Sequence, residues 1–263
     1  MASPRDELDE ELRRNASTCD SFGDFASHRA RVMQLLRAAA TPSGSTRRLV
    51  LLGAGNCNDV DLNQLVAHYD RIDLVDWDAA ALAWGREQQG FATDSRLVSH
   101  APIDLRASDW QLPEADVVAS LCVLSQLIDA LRRTTAGGPA ELAGEIGNLV
   151  QNHLRQLVEL LQPGGVGLLV TDFASSQTVP ELATAGEAEL PAVAGRLLQS
   201  GNFFQGLHPG GLYQRLTTQP WFASRIRCQI PLSPWNWKVG NRVYAVSALV
   251  MRRKIVATSP IEG

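Results

Sequence analysis

Residues 49–59 read Leu-Val-Leu-Leu-Gly-Ala-Gly-Asn-Cys-Asn-Asp, a short apolar run that leads directly into a Gly-x-Gly turn. The apolar run is typical of a strand that is buried on both faces. Gly53 and Gly55 allow a tight turn in which bare backbone approaches a ligand at the carboxyl end of a parallel sheet. The third glycine of a dinucleotide-binding fingerprint is missing. The turn alone is therefore a weak signal, and a tight turn without a ligand is the alternative interpretation.

Outward from this turn, apolar runs alternate with helical patterns. Strands are expected at 48–52, 72–75, 96–100, 116–120 and 166–170, and helices at 24–40, 58–68, 78–89 and 141–161. This alternation predicts βαβ units and therefore an α/β fold with a doubly wound, mainly parallel sheet.

The alternation of predicted strands and helices ends after Phe173. Residues 174–222 are rich in Ala, Gly and Gln and are expected to form a helical and irregular cover. Two later runs, 225–230 and 242–251, are separated by a stretch with two prolines and a glycine, which disfavours a helix between them. They predict an antiparallel pair, with 242–251 as the antiparallel strand that closes the sheet.

Composition excludes several classes of protein. The 263 residues are 45% hydrophobic and 20% charged, with a net charge of −4, which disfavours a general nucleic-acid-binding surface. No apolar run approaches the roughly 18 residues of a membrane span, and the charged segment Met1–Arg14 does not resemble a secretory signal. The four cysteines lie far apart, so neither a zinc site nor a disulfide framework is expected. A cytoplasmic protein without a metal or membrane partner is predicted.

The start of the helix after the turn is acidic. Asn58 is expected to cap it, which places Asp59 and Asp61 in the first turn. Carboxylates stabilise the positive end of a helix dipole, but they also repel a pyrophosphate. The pattern therefore favours a cationic or zwitterionic ligand, such as a sulfonium cofactor, over NAD.

The second strand ends in an acid as well. Asp76 follows Gly53 by 23 residues and is positioned to accept hydrogen bonds from ribose hydroxyl groups. Asp78 is expected to cap the next helix. Trp77 either stacks on an adenine or packs as a partly buried side chain, and the sequence leaves both interpretations open.

Four segments in this order resemble class I (Rossmann-like) S-adenosylmethionine-dependent methyltransferases. They are LLGAGNCND (51–59), LVDWD (74–78), ADVVASLCVLSQL (115–127) and LLQPGGVGLLVTDF (160–173). The resemblance spans about residues 45–254 and implies a seven-stranded sheet with S-adenosyl-L-methionine as the cofactor. Residues 1–44 then form a helical N-terminal extension or lid, 174–222 a cover insert, and 255–263 a tail.

The resemblance also implies which residues hold the cofactor. The turn would contact the methionine part, Asp76 the ribose, Trp77 and Leu105 the adenine ring, and Asp104 the adenine amino group. Ser120 and Leu121 would line the methyl-transfer side. The full expected set is Gly53, Ala54, Gly55, Asn56, Asp59, Asp76, Trp77, Asp104, Leu105, Ser120 and Leu121.

Two positions depart from the family pattern. Leu51 stands where an acidic residue is common, and Cys57 replaces the last glycine of the first motif. Asp59 is expected to compensate by facing the cofactor's ammonium group. These departures motivate an alternative function, a non-catalytic protein of this fold that binds a cofactor or a protein partner. A nicotinamide-dependent oxidoreductase is disfavoured by the two acids, Asp59 and Asp61.

The acceptor of the methyl group is less well marked. Residues 120–126 lack the Asn/Asp-Pro-Pro-Tyr/Phe tetrapeptide associated with methylation of bases or glutamine, which favours a small-molecule acceptor. His208 and Tyr213, in a glycine-rich segment, are the candidates for a general base. Cys122 is interpreted as a buried thiol. Aromatic residues concentrate in the last quarter of the chain, where they form either an acceptor pocket or ordinary packing.

Overall fold

The computed structural model describes residues 4–40, 47–107 and 109–255. Eight strands occur in this part of the chain, and they form one sheet. They are β1 (Arg48–Leu52), β2 (Arg71–Val75), β3 (Leu97–His100), β4 (Ala115–Leu121), β5 (Leu161–Ser175), β6 (Ile226–Cys228), β7 (Trp235–Val239) and β8 (Arg242–Arg253).

The helices lie between these strands, except for two that precede β1. They are α1 (Pro4–Thr18), α2 (Ala26–Ala39), α3 (Leu62–Leu65), α4 (Ala79–Gln88), α5 (Val123–Thr134), α6 (Pro139–Glu159), α7 (Leu190–Ser200), α8 (Pro209–Thr218) and α9 (Pro220–Arg225). A short 3-10 helix covers Pro180–Ala183. The predicted boundary at residues 44 and 45, and the predicted tail from residue 256 onward, lie outside the described residues.

The strand order is β3-β2-β1-β4-β5-β8-β6, and β7 pairs with the other half of β8. Strands β1 to β5 pair in parallel, while β8 runs antiparallel to β5, β6 and β7. The predicted mainly parallel sheet with an antiparallel closing strand at 242–251 is thus confirmed. Within the described residues, the sheet has eight strands and not the predicted seven, because the segment Trp235–Val239, which was expected to be a connection, is a strand. Trp235 and Trp237 are buried there, in the two-residue period of a strand.

Alternate residues of the central strands enter two different cores. Leu49 and Leu51 of β1 pack in a core with α2, α3 and α4, whereas Val50 and Leu52 pack in a core with α5 to α9. All four side chains are fully buried. Burial on both faces explains why β1 reads as a continuous apolar run, without polar alternation.

One predicted helix is much shorter than expected. The helix predicted at 58–68 is confined to Leu62–Leu65, and its cap is Asp61, which accepts a hydrogen bond from the Gln64 N–H at 3.0 Å. Asn58 is therefore not the cap. Its amide instead donates to the Thr18 carbonyl at 2.7 Å, a contact 40 residues away in sequence. Asp78 caps α4 as predicted, accepting from the N–H groups of Ala80 and Ala81.

His153 on α6 gives the fold a specific acid sensitivity. It is fully buried beneath β4, and burial lowers its pKa to about 4. Because the unfolded chain binds this proton more readily, the free energy of unfolding falls as the pH drops from 6.5 to 4, by about 3 kcal/mol for this group. Urea unfolding between pH 7 and pH 4.5 measures the free energy of unfolding of the unmodified protein and of His153→Gln. The variant should lack the part of the pH dependence that comes from His153.

The unmodified protein and the His153→Gln variant must be compared with each other, because Asp172 titrates in the opposite sense to His153. Burial raises its pKa to about 6, so its protonation stabilises the fold as the pH falls below that value. This contribution is common to both proteins and cancels in the difference. A constant difference in unfolding free energy between pH 7 and pH 4.5 would contradict the assignment to His153.

Candidate functional site

A cavity of about 1110 Å³ opens at the carboxyl edge of the parallel strands. The turn after β1, the ends of β2 and β4, and Asp172 near the end of β5 all contribute to its wall. Ligands of open α/β sheets bind at this edge, so the position of the cavity is the one expected from the topology. Ten of the eleven predicted cofactor residues line it, namely Gly53, Ala54, Gly55, Asn56, Asp59, Asp76, Trp77, Asp104, Leu105 and Leu121.

The turn after β1 is a left-handed loop fastened to β2. Gly53 has a φ of +76° and Gly55 a φ of +45°. The N–H groups of Gly53 and Ala54 both donate to the Val75 carbonyl, at 2.9 and 3.2 Å. The Gly55 N–H donates to Asp76 Oδ2 at 2.8 Å. The loop is therefore positioned by the end of the neighbouring strand.

The two glycines are needed for different reasons. A Cβ on Gly53 would lie 2.4 Å from the Val123 Cβ, so close packing against the start of α5 excludes any side chain there. A Cβ on Gly55 would meet nothing closer than 3.4 Å, the distance to Asn15 Oδ1. A Cβ on Gly55 would therefore fit at ordinary contact distance, and Gly55 lines the cavity.

Asp76 holds the loop and still faces the cavity. Its Oδ2 accepts from Gly55, and its Oδ1 accepts from the Asp78 N–H at 2.9 Å. Burial raises the pKa of this carboxyl, although the hydrogen bonds from Asp78 and Gly55 act in the opposite direction. Each carboxylate oxygen can accept a second hydrogen bond, so the group can bind a ligand hydroxyl while it holds the loop.

The residues expected around an adenine ring lie along the same wall. Trp77 is half-buried, and Leu105 is buried with an exposure of 4%. Asp104 forms an ion pair with Arg106 at 3.0 Å and also accepts from the Arg106 N–H at 2.9 Å. Its carboxylate is thus oriented by its own loop before any ligand binds.

Helix α1 covers the cavity and is held by two asparagines that follow the glycine turn. The Asn56 amide donates to the Asn15 carbonyl at 2.6 Å, and the Asn58 amide donates to the Thr18 carbonyl as described above. The Asn15 amide in turn donates to Asp78 Oδ2 at 3.0 Å. Arg14 pairs with Asp129 on α5. Nothing in the local sequence signals these contacts, because each joins residues at least 40 positions apart.

Three predicted residues lie elsewhere. Ser120 is fully buried, points into the core with α6 and hydrogen-bonds to His153 Nε2 at 2.8 Å, so its side chain does not line the cavity. His208 caps α8 by accepting from the Gly211 N–H at 3.0 Å. Neither His208 nor Tyr213 contributes to the cavity wall. The structure thus gives no support to either residue as the base.

Cys57 and Cys122 are structural thiols. Both are buried and both have left-handed backbone, with φ of 55° and 50°. Burial raises the pKa of Cys57 to about 12 and that of Cys122 well above its usual value. Neither thiol is ionised near neutral pH, so neither is a nucleophile.

A carboxyl group that the sequence analysis missed lies deeper in the cavity. Asp172 near the end of β5 is only 2% exposed, and its Oδ1 accepts a hydrogen bond from Ser125 Oγ at 2.6 Å. Both side chains line the cavity, on the β4–β5 side where a methyl acceptor is expected. An acid immediately after a fully apolar strand, in the segment Val170-Thr171-Asp172, was the signal available in the sequence.

Comparison with known proteins identifies the fold. A chain from a complex between the Haloferax volcanii Trm112 methyltransferase activator and a methyltransferase is 14% identical, with a TM-score of 0.54, and the match covers 98% of this chain and all of that one. An S-adenosylmethionine-dependent methyltransferase from Methanosarcina mazei is 9% identical, with a TM-score of 0.51 and coverage of 84% and 97%. The YcgJ protein of Bacillus subtilis is 10% identical, with a TM-score of 0.51 and coverage of 87% and 100%.

These likenesses show that the chain has the class I methyltransferase fold. No protein-family model matches the sequence, and no curated protein sequence matches it. In the described part of the chain, no helix is long and apolar enough to cross a membrane. Among the same residues, no three His, Cys, Asp or Glu side chains come together as a metal site.

Proposed function

We propose that the protein is an S-adenosyl-L-methionine-dependent methyltransferase that acts on a small-molecule acceptor. The observation that carries the proposal is that the glycine turn and the half-buried Asp76 carboxylate, joined by the Gly55 N–H, line one cavity at the carboxyl edge of the sheet. When bound, the cofactor would supply an electrophilic methyl group on a sulfonium. The chain's own residues hold and orient both reactants, which is the main requirement for in-line displacement.

The chemistry of the wall fits such a cofactor. Asp76 would accept hydrogen bonds from the ribose hydroxyl groups, and Trp77 and Leu105 would flank the base. Asp59 is the acid nearest to the expected ammonium group, and its carboxylate lies 3.2 Å from His28 Nε2. A cavity with these carboxylates favours a cationic cofactor over one that carries a pyrophosphate.

The N-terminal residues would serve as a lid over the cofactor. The contacts of α1 with Asn56, Asn58 and Asp78 support this assignment, because they attach the helix directly to the glycine turn and to the cap of α4. A closed lid excludes water from the sulfonium and fixes the reactants in line. The cover insert after β5 would complete the acceptor side.

The first test is calorimetric titration with S-adenosylmethionine and S-adenosylhomocysteine, combined with Asp76→Ala. A hydrogen bond to a charged carboxylate contributes about 1.5–3 kcal/mol, so the variant should bind both ligands roughly tenfold to a hundredfold more weakly. Its melting temperature without ligand should also fall, because the N–H groups of Gly55 and Asp78 lose their partner.

Asp61→Ala is the matched control for this loss of stability. It removes the cap of α3 and should destabilise the protein by about 1 kcal/mol. Asp61 does not line the cavity, so this variant should keep affinities close to those of the unmodified protein. If the unmodified protein binds neither ligand, the enzymatic proposal fails, and the alternative of a non-catalytic protein of this fold takes its place.

A further inference from the structure

The far end of the cavity combines one buried acid with three aromatic side chains. These residues are Phe25, Asp172, Trp237 and Tyr244, and we refer to them as the acid–aromatic wall. All four line the cavity. They belong to the connection before α2 and to three adjacent strands, and they lie away from the glycine turn along the sheet.

The sheet register brings most of this wall together. Asp172 of β5 is opposite Val246 of β8, which is opposite Trp235 of β7. Two positions along β8, Tyr244 is opposite both Ser175 of β5 and Trp237 of β7. Phe25 completes the wall by edge contact with Trp237, with ring centroids 5.4 Å apart. The arrangement is therefore built on paired strands, which hold it rigidly.

The acid in this wall has no cationic partner among the described residues. Ser125 donates to Asp172, but no Lys, Arg or His in the described part of the chain forms an ion pair with it. The imidazole of His28 is stacked on Trp237, with ring centroids 4.8 Å apart, and its Nε2 lies 3.2 Å from the carboxylate of Asp59. Its Nδ1 accepts from Trp235 Nε1 at 3.0 Å, and an indole N–H can only donate.

A second buried polar atom in the wall is unsatisfied. Trp237 is 8% exposed, and its Nε1–H has no acceptor in the described structure. Buried N–H groups are seldom left unpaired, because the loss of hydration costs about 1–3 kcal/mol. The wall thus offers a ligand an anion and aromatic surface, with an unsatisfied N–H among its side chains. Aromatic surface combined with a carboxylate is the environment that recognises alkylammonium groups.

We propose that the methyl acceptor is an amine, whose nitrogen binds at Asp172 while its carbon skeleton packs on the aromatic residues of the wall. This inference rests on the methyltransferase function proposed above. The amine binds as its ammonium ion and gives one proton to the Asp172 carboxylate. The lone pair that this frees forms the new C–N bond while the C–S bond of the sulfonium breaks, and the electron pair of that bond goes to sulfur. The product leaves as the methylated ammonium ion, and Asp172 passes its proton to water.

The chemistry of the acid favours an amine over an alcohol. Burial raises the pKa of Asp172 to about 6, which suits a group that receives a proton from nitrogen near neutral pH. A carboxylate of this strength is a poor base toward an aliphatic hydroxyl, whereas an amine attacks once its ammonium ion has given up one proton. An anionic acceptor group at this wall is disfavoured by Asp172 itself.

The test uses protein saturated with S-adenosylhomocysteine, so that binding is measured without turnover. Phenethylamine and tryptamine are titrated against their alcohol counterparts, 2-phenylethanol and tryptophol, by calorimetry at pH 7.5. At least one amine should bind at least tenfold more tightly than its alcohol. Asp172→Asn should abolish this preference, whereas Asp129→Asn, which removes an ion-paired acid at the cavity rim, should keep it.

Ser125→Ala is a second variant, which allows the inference to be tested even if Asp172→Asn does not fold. It removes the hydrogen bond that favours the charged carboxylate, so the amine preference should fall severalfold. Equal binding of amines and alcohols, or a preference that survives Asp172→Asn in a folded protein, overturns the inference. A failure to bind S-adenosylhomocysteine at all is a different result and counts against the proposed function itself.

Discussion

Gly53→Ala should lower the melting temperature by roughly 5–15 °C. The new Cβ would lie 2.4 Å from the Val123 Cβ, a rigid atom at the start of α5. Overpacking of this kind costs about 1–3 kcal/mol, and an alanine at a φ of +76° adds about 1–2 kcal/mol. For a chain of this size, each kcal/mol shifts the melting temperature by about 2–4 °C. Thermal unfolding followed by circular dichroism measures the effect.

Gly90→Ala separates the cost of overpacking from the cost of placing alanine in left-handed backbone. Gly90 has a φ of +81°, and a Cβ there would meet nothing within 4 Å, so only the backbone term remains. Its melting temperature should fall by about 2–8 °C at most. Equal losses for the two variants would mean that the loop and α5 separate easily. The packing at Gly53 would then not explain why this position is glycine.

This result would change how the glycine turn is interpreted. Glycine at position 53 is explained by packing against Val123 within the protein, whether or not a ligand binds. At Gly55, the left-handed φ of +45° favours glycine, while an added Cβ would meet its neighbours only at ordinary contact distance. Packing inside the protein therefore explains the first glycine and backbone conformation explains the second, a distinction that the sequence alone could not make.

Much of the fold could be predicted because its signals are local. The buried strands β1, β2 and β4 are short apolar runs, and Asp78 lies where a cap precedes a helix. The short α3 could not be predicted, since Asn58 is engaged by the Thr18 carbonyl and the cap falls at Asp61 instead. In the same way, Pro231 and Pro234 suggested a connection, but both precede β7 and leave its ladder intact.

The site was predictable where it follows the sheet edge. Asp76 and the glycine turn lie at the ends of neighbouring parallel strands, so their meeting follows from topology. Ser120 was placed at the correct edge, but its side chain points to the opposite face of β4, toward His153. Asp172 was missed because the predicted strand ended at residue 170, whereas β5 continues to Ser175 and carries Asp172 to the cavity.

The largest effect on cofactor binding should come from Gly55→Val. At a φ of +45°, a valine would place its Cβ in contact with Asn15 and would project its methyl groups further, against Asn15, Asp76 or the expected position of the cofactor. We expect no measurable binding of S-adenosylmethionine or S-adenosylhomocysteine by calorimetry, which is a loss of at least a hundredfold. A β-branched residue is also strained in left-handed backbone, so the melting temperature should fall as well.

Two companion variants separate exclusion of the ligand from strain in the loop. Gly55→Asn places a side chain in the same space, but asparagine tolerates left-handed backbone, so binding should be lost while most of the stability remains. Cys57→Gly relieves the left-handed cysteine at φ 55° and adds nothing to the cavity. Its affinity should be unchanged because Cys57 does not line the cavity. Its stability should change little, because the relieved strain and the added freedom of the unfolded chain nearly offset each other. If Gly55→Asn folds and binds S-adenosylmethionine normally, no ligand lies against this turn, and the methyltransferase proposal loses the observation on which it depends.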